Sequence, residues 1–550
     1  MQSRSQSLAD ARKRKYDLVV IGGGITGAGV AQNAASRGLS VLVIEKTDFG
    51  AGTSSKTTKL IHGGLRYLEQ FHFALTRQLC EERERLKRLA PHLVRDFSFV
   101  LPFTRGNLFF NMKAAAGIGL YDLLTMTAGR TGSHAHLNKK TLSQMSPALS
   151  STVVSGGIKF HDAITDDTRM VLSVIKSACG YGGTVIDYVQ VDGVKMTDGR
   201  ISEVECHDRF SGEDFSVACR ACVNATGVWT DEICNLVSGS PEQRVTPSKG
   251  THIVVPSSAF ETNTALFLPT KDRRFVFVVP WMRALMIGTT DDFYTGNINH
   301  PLATADEMDY LLSVVNSYTE SHRLSRRDIT GSFAGLRPLV RLPGQDADNT
   351  SSMSREHLIF EAPGKLINVA GGKLTSYRLM AEEIVDQVAK LHSELRPNVS
   401  ATGEIMLGGW TGKDNFLAAS AAITARARRL FLEPATIDHL VANYGAEADK
   451  VLEILEESPD LGRRICSDFP PIYAEIPFCL EHEMAVSLED VLFRRLRLGI
   501  LNHGQALAAA PAVARLMQRL LGWDEPRLNF ELEAIAQEVP DVLQVALQTS

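Results

Sequence analysis

The chain has 550 residues, too many for one ordinary core, so two or three domains are expected. Hydrophobic residues make up 44% and charged residues 22%, the balance of a globular protein rather than a disordered or fibrous one. The formal net charge of −5 gives no reason to invoke nucleic acid as a partner.

The N-terminal segment is polar and basic, with Arg4, Arg12, Lys13, Arg14 and Lys15. No apolar stretch follows it, which argues against a secretory signal. No window approaches the roughly 20 apolar residues needed to cross a bilayer. A chain that is soluble or lies on a membrane is therefore expected. The eight cysteines are scattered, and the reading is of reduced thiols in a cytosolic protein. Cys219 and Cys222 form a C-x-x-C, but no second pair or histidine cluster accompanies them, so a strand is expected there and no metal site.

Tyr16 to Ile21 is an apolar, β-branched run that predicts a buried parallel strand. It leads directly into G-x-G-x-x-G at Gly22, Gly24 and Gly27. A helix follows, with Val30, Ala31, Ala34 and Ala35 at helical spacing, then a second strand, Val41 to Ile44, ending in Glu45 and Lys46. Gly22 permits the tight turn, Gly24 lets backbone approach a pyrophosphate, and Gly27 lets helix and strand pack closely. The helix N-terminus supplies N–H groups to phosphate. Glu45 stands where a carboxylate can accept from ribose hydroxyls. The loop Asp48 to Ser55 is rich in small residues and donors, and Lys59-Leu60-Ile61-His62-Gly63-Gly64-Leu65-Arg66-Tyr67-Leu68 follows it.

At these residues the sequence resembles the FAD-dependent glycerol-3-phosphate dehydrogenases. The resemblance rests chiefly on residues 48–68 and extends along most of the chain. It implies an α/β fold: a Rossmann-like FAD-binding domain, an inserted β-rich substrate domain and a C-terminal helical domain. The expected organisation is a basic tail over 1–15, a discontinuous FAD-binding domain over 16–90, 165–240 and 358–392, and a substrate domain over 91–164 and 241–357. A polar linker at 393–405 then leads to helices over 406–550.

Further along, residues 76–90 predict a charged, solvated helix with Glu81–Arg85 and Glu84–Arg88 pairs. Residues 107–126 read either as a core helix or as an interfacial membrane helix carrying Phe109, Phe110, Ile118 and Leu123 near Arg105, Lys113 and Arg130. Asp166-Asp167-Thr168-Arg169 predicts a helix start with acids in its first turn. From Thr184 a β-meander is expected, closing in Ala225-Thr226-Gly227. That end resembles a second FAD-contacting turn. Strands are expected around Lys249 to Val255, Phe275 to Pro280, Ile287 to Asp291 and Gly335 to Leu339. Leu366 to Val369 predicts a strand leading through Gly371-Gly372-Lys373-Leu374-Thr375 into a helix. The stretch with Glu483, Asp490, Arg494 and Arg495 resembles the family's C-terminal domain.

The resemblance implies oxidation of sn-glycerol 3-phosphate to dihydroxyacetone phosphate, with FAD as cofactor and a membrane quinone as acceptor. It implies a protein on the cytoplasmic face of the cell membrane, and a homodimer is one possible assembly. A related oxidase that passes electrons to O2 is the alternative reading, followed by an amino-acid oxidase and a flavin subunit without its own site. Phosphate recognition falls to Arg337 and Arg355, with Lys373 as a point charge, because a guanidinium fork suits phosphate. His252 is the candidate base, since imidazole ordinarily titrates near neutrality; a buried structural histidine is the other reading. Arg66 and Tyr67 are expected to position cofactor and substrate. The expected FAD contacts are Gly22, Gly24, Ile25, Thr26, Gly27, Glu45, Lys46, Thr53, Ser54, Ser55, Lys59, His62, Gly63, Val189, Ala225, Thr226, Gly227, Gly372, Leu374 and Thr375.

Overall fold

A computed structural model of the chain describes residues 1–64, 72–127, 134–239, 243–272, 274–320, 323–341 and 357–548. Arg66, Tyr67 and Arg355 lie outside the described residues. Two sheets and a helical region organise the rest.

The strand Lys15–Ile21 is buried along most of its length because parallel neighbours cover it on both sides. Val41–Ile44 pairs with it on one side and Asp214–Asn224 on the other, so strands distant in sequence meet at the glycine turn. Thr184–Ile186 extends the sheet beyond Val41–Ile44, and Leu366–Ala370 extends it beyond Asp214–Asn224. Leu358–Ala362 closes that edge antiparallel. The expected meander is present as Val189–Thr197, Arg200–Asp208 and Asp214–Asn224. The helix Ile25–Ser36 is packed between Asp167–Gly180 and Tyr377–Leu391. Gly29 allows this closeness, because a Cβ there would sit 2.9 Å from the Tyr377 ring.

The second sheet contains ten strands among the described residues. Val245–Pro256 is its longest and pairs antiparallel with both Ala284–Gly288 and Gly331–Val340. Leu60–Ile61 joins this sheet by pairing with Val154–Ile164, although the sequence groups it with the nucleotide-binding half.

Three expectations change. Residues 4–13 form a helix rather than a tail: Ser3 caps it, and Arg4 pairs with the buried Asp208 at 2.6 Å. The helix Phe73–Leu89 is not merely a solvated face, since Glu82 and Arg83 are buried in it. Its ion pairs differ too: Glu81 joins Arg77, and Glu84 joins Arg83 and Lys87. The helix Leu108–Thr127 divides its residues between core and solvent. Ile118 and Tyr121 are fully buried, while Phe109 is 83% exposed and Met112 64%. Phe110 packs partly against the core.

Beyond residue 412 the chain is helical, from Lys413–Arg429 to Asp541–Gln548. It includes a buried π-helical turn, Asp490–Arg495. No described helix is long and apolar enough to cross a membrane.

Candidate active site

A cavity of about 1420 Å³ opens between the two sheets and reaches the helical region. Ligand pockets are ordinarily about 300–1,000 Å³, so this one has room for a dinucleotide with a small substrate. Of the expected FAD contacts, Gly22, Gly24, Ile25, Thr26, Glu45, Lys46, Thr53, Ser54, His62, Val189, Ala225, Thr226, Gly227, Gly372, Leu374 and Thr375 line it. So do His252, Arg337 and Lys373.

At the nucleotide end, Gly22 adopts φ +104°, and a Cβ there would press on the Ala225 carbonyl oxygen at 2.7 Å. Glycine is thus required by both conformation and space. A Cβ on Gly27 would run into the Gly22 carbonyl oxygen. Gly24 begins the helix Ile25–Ser36, and Ser54 Oγ accepts from the Ile25 N–H at 3.0 Å. Glu45 accepts from the Gly23 and Thr47 N–H groups at 2.7 and 2.9 Å, and burial pushes its carboxyl pKa up. Lys46 lies 4.0 Å over the Trp229 ring, and both donate to Asn299. Trp229 stands two residues beyond the Ala225-Thr226-Gly227 turn and Asn299 has no motif around it, and nothing local in the sequence shows that both meet Lys46.

Four expected contacts do not line the cavity. Gly27 is spent on helix packing. Ser55 donates within its own turn. Lys59 is fully buried and turned to Asp167, with Nζ–Oδ distances of 2.9 and 3.0 Å. The Gly63 N–H donates to Tyr121 Oη at 2.9 Å, and Tyr121 donates to Asp162. A Cβ on Gly63 would collide with Cys80 and Tyr121. His62 is tied to Thr375 through its backbone N–H at 3.2 Å.

At the other end, His252 and Arg337 share one sheet face. Ser248 opposes Arg337 and His252 opposes Phe333, so side-chain alternation places both functional groups on the same side. Glycines make room for them to lie flat. A Cβ on Gly250 would strike the Arg337 guanidinium, and one on Gly288 would strike the His252 ring. Arg337 donates to Thr289 Oγ1 at 2.9 Å and to Thr290 O and Asp291 Oδ1 at 3.2 Å, with a quarter of its side chain exposed.

His252 Nε2 lies 3.0 Å from Thr58 Oγ1, a residue that no sequence motif marks. Burial, then the nearby Lys59 and Arg337 cations, push its pKa down to about 3. The imidazole is therefore neutral at ordinary pH and holds a lone pair. Lys373 precedes the turn and helix that begin at Leu374, with Gly371 and Gly372 at φ +78° and +92°. The positive end of the helix Tyr377–Leu391 thus points toward this part of the cavity wall. Phe267, Phe275 and Phe277 add an aromatic wall, with Phe267 and Phe275 stacked at 4.1 Å.

These residues suit a flavin dinucleotide: a glycine cradle at a helix N-terminus, a buried carboxylate at the end of the second strand, and a second helix N-terminus facing the deeper cavity. Comparison with known proteins agrees. The family profile described as FAD dependent oxidoreductase matches residues 17–387. The C-terminal domain of alpha-glycerophosphate oxidase matches 400–528. The chain is 36% identical to a glycerol-3-phosphate dehydrogenase of Mycobacterium leprae, covering 98% of this chain and 92% of that one. It is 32% identical to the aerobic glycerol-3-phosphate dehydrogenase of Bacillus subtilis, over 98% and 97%. The structure of the glycerol-3-phosphate dehydrogenase from Bacillus halodurans complexed with FAD superposes with a TM-score of 0.80 at 28% identity, covering 97% and 96% of the two chains. Nucleotide-end geometry, matched family profiles and full-length relatives converge: the chain belongs to the FAD-dependent glycerol-3-phosphate dehydrogenase family, and its cofactor is FAD.

Proposed function

We propose that the chain oxidises sn-glycerol 3-phosphate to dihydroxyacetone phosphate and passes the electrons to a membrane quinone. The observation that carries the substrate reading is the sheet face on which Arg337 and His252 lie flat beside each other over glycines. It offers a guanidinium for a phosphate and a neutral imidazole for a hydroxyl proton in one cavity, with Lys373 adding positive charge. Asp291 and Thr289 hold the guanidinium in plane at the cavity wall, which fixes the position of the positive charge that an anion would meet there. Thr58 orients the imidazole. Bound FAD supplies the hydride acceptor. Phe267, Phe275 and Phe277 add apolar surface to the same cavity.

The acceptor reading rests on the helix Leu108–Thr127. Quinones dissolve in the bilayer, and no described helix is long and apolar enough to enter it fully, so the reading is that the chain reaches them from the surface. Phe109 and Met112 project outward from a helix whose Ile118 and Tyr121 are anchored in the core, with Arg105 and Lys113 nearby in sequence. Apolar tips among cations suit an anionic lipid surface. The decisive experiment adds glycerol 3-phosphate to the holoenzyme without oxygen and records the flavin absorbance. Bleaching supports the reading, and unchanged absorbance rejects it. Reoxidation by a quinone without peroxide supports the acceptor; rapid peroxide formation in air would make the protein an oxidase instead.

A further inference from the structure

The helical region carries three buried arginines close together in sequence, Arg494, Arg495 and Arg497, and Arg494 lines the cavity. Arg494 and Arg495 close together on Asp48. Arg494 Nε and Arg495 Nη1 each lie 2.6 Å from Oδ2, and Arg495 Nη2 lies 2.7 Å from Oδ1. Asp48 directly follows the strip that carries Glu45. The backbone of that strip is gripped from the other side, since the Val189 N–H donates to Glu45 O at 2.9 Å and the Tyr188 N–H to Thr47 O at 3.0 Å. The Tyr188 hydroxyl in turn donates to Asp490 at 2.7 Å, in the same turn as the arginines.

Arg497 adopts a left-handed backbone, φ +63°, and faces a different pair of acids. It meets Asp166 at 3.2 Å and also pairs with Asp167. Asp167 accepts from the Thr57 N–H at 3.0 Å, from Thr57 Oγ1 at 2.7 Å and from Lys59. Those residues flank Thr58, which meets His252. One short segment of the helical region, residues 490–497, therefore holds both strips, the one beside the nucleotide end and the one beside the imidazole. Burying so many charges confers little stability that apolar side chains could not match. The arrangement is accounted for by the positions it enforces.

We propose that Arg494, Arg495 and Arg497 are positioning residues through which the C-terminal helical region retains FAD and sets the surroundings of His252. The retention half stands independently of the substrate, whereas the Arg497 half rests on the role proposed for His252.

The test compares four holoenzyme variants whose fold is first verified by far-UV circular dichroism. Each is diluted into FAD-free buffer, and release is followed by the rise in flavin fluorescence. Asp48→Asn should release FAD at least about 10-fold faster, the loss expected for a charge-assisted bond. Lys176→Gln breaks contacts with Glu447 and Glu483 at the same domain boundary but touches neither strip. It should release FAD at the parent rate even where its Tm falls. Parent-like release from folded Asp48→Asn, or equal acceleration in Lys176→Gln, overturns the retention half. Should Asp48→Asn fail to fold, Arg494→Lys, which keeps the charge and loses the paired donors, decides by the same criterion. Arg497→Lys should keep FAD at the parent rate, alter the visible circular dichroism of the bound flavin and slow its bleaching by glycerol 3-phosphate. A parent-like dichroism spectrum overturns the second half, including in the case where the parent itself is not bleached and the substrate reading has failed.

Discussion

The His252 ring lies flat on Phe333, with centroids 4.7 Å apart and planes inclined by 9°. The two residues face each other across neighbouring strands, so the sheet register itself fixes the imidazole plane. Burial, then the nearby Lys59 and Arg337 cations, oppose a charged ring.

The first prediction follows from that setting. The pH profile of kcat/KM should show no acid limb near 6.5 from His252, because its protonation is pushed down to about 3. His252→Ala should lower kcat by about 10²–10⁴-fold with FAD content unchanged. A limb near 6.5 that disappears in the variant would show that the ring titrates normally, and near-normal flavin reduction would move the role of base elsewhere.

Arg337→Ala should raise KM for glycerol 3-phosphate by about 10- to 150-fold, the effect of about 1.5–3 kcal/mol for a lost charge-assisted bond. Arg337→Lys should recover part of this, since it restores charge without the fork. Steady-state kinetics with glycerol as a comparison checks the point. Equal turnover of glycerol and its phosphate by the parent would remove the phosphate clamp.

Gly24→Val should abolish FAD binding. Even a bare Cβ at Gly24 stands 3.1 Å from Ser54 Oγ, and larger branches enter the space needed by a pyrophosphate. A purified variant with full yellow occupancy would contradict this placement of the nucleotide.

Acid stability offers a prediction free of catalysis. His92 and His503 are buried and accept hydrogen bonds from Trp410 Nε1 at 3.0 Å and the Ser332 N–H at 2.9 Å. Their pKa values are pushed down by burial to about 3 and about 4. Below about 6.5 the unfolded histidine binds a proton and the folded one does not. Each therefore costs about 1.4 kcal/mol of stability per pH unit as pH falls from about 6.5 toward its folded value. His503→Gln and His92→Asn each keep an acceptor and should flatten the fall of stability in this window. Urea unfolding at pH 7 and pH 5 measures it, and identical pH dependence in parent and variants would refute the assignment.

Phe109→Asp with Met112→Asp should reduce binding to anionic vesicles and quinone reduction, while activity toward a soluble dye persists. Both side chains are mostly exposed, so the fold should tolerate them. Phe110, partly packed in the core, is a poorer probe. Unchanged vesicle co-sedimentation would end the docking proposal.

The parts legible in the sequence are those whose physics is local. A β-branched run, a glycine turn and a periodic apolar helix announce the nucleotide end within 30 residues, and the structure places Gly22, Gly24 and Glu45 around one cavity. Lys59 shows where such reading stops. Its sequence context suits a cofactor loop, but its ammonium is claimed by Asp167, 108 residues away. Thr58 carries no motif, and its importance appears only when the Val245–Pro256 strand brings His252 to it. Arg494 is likewise an ordinary helical arginine until Asp48, 446 residues distant, is placed beside it.

The nucleotide sheet also constrains how the chain is made. Lys15–Ile21 is bracketed by Val41–Ile44 and Asp214–Asn224, and the latter by Leu366–Ala370. Neighbours so far apart along the chain must search a large conformational space before they pair, which slows folding. The parallel neighbour Leu366–Ala370 cannot be added until residue 370 has left the ribosome. Until then residues 219–224 of that strand, beyond its pairing with Arg200–Asp208, present an unpaired edge, a surface that invites aggregation and chaperone capture. A truncation before residue 366 should accordingly be insoluble, although it contains the whole glycine turn.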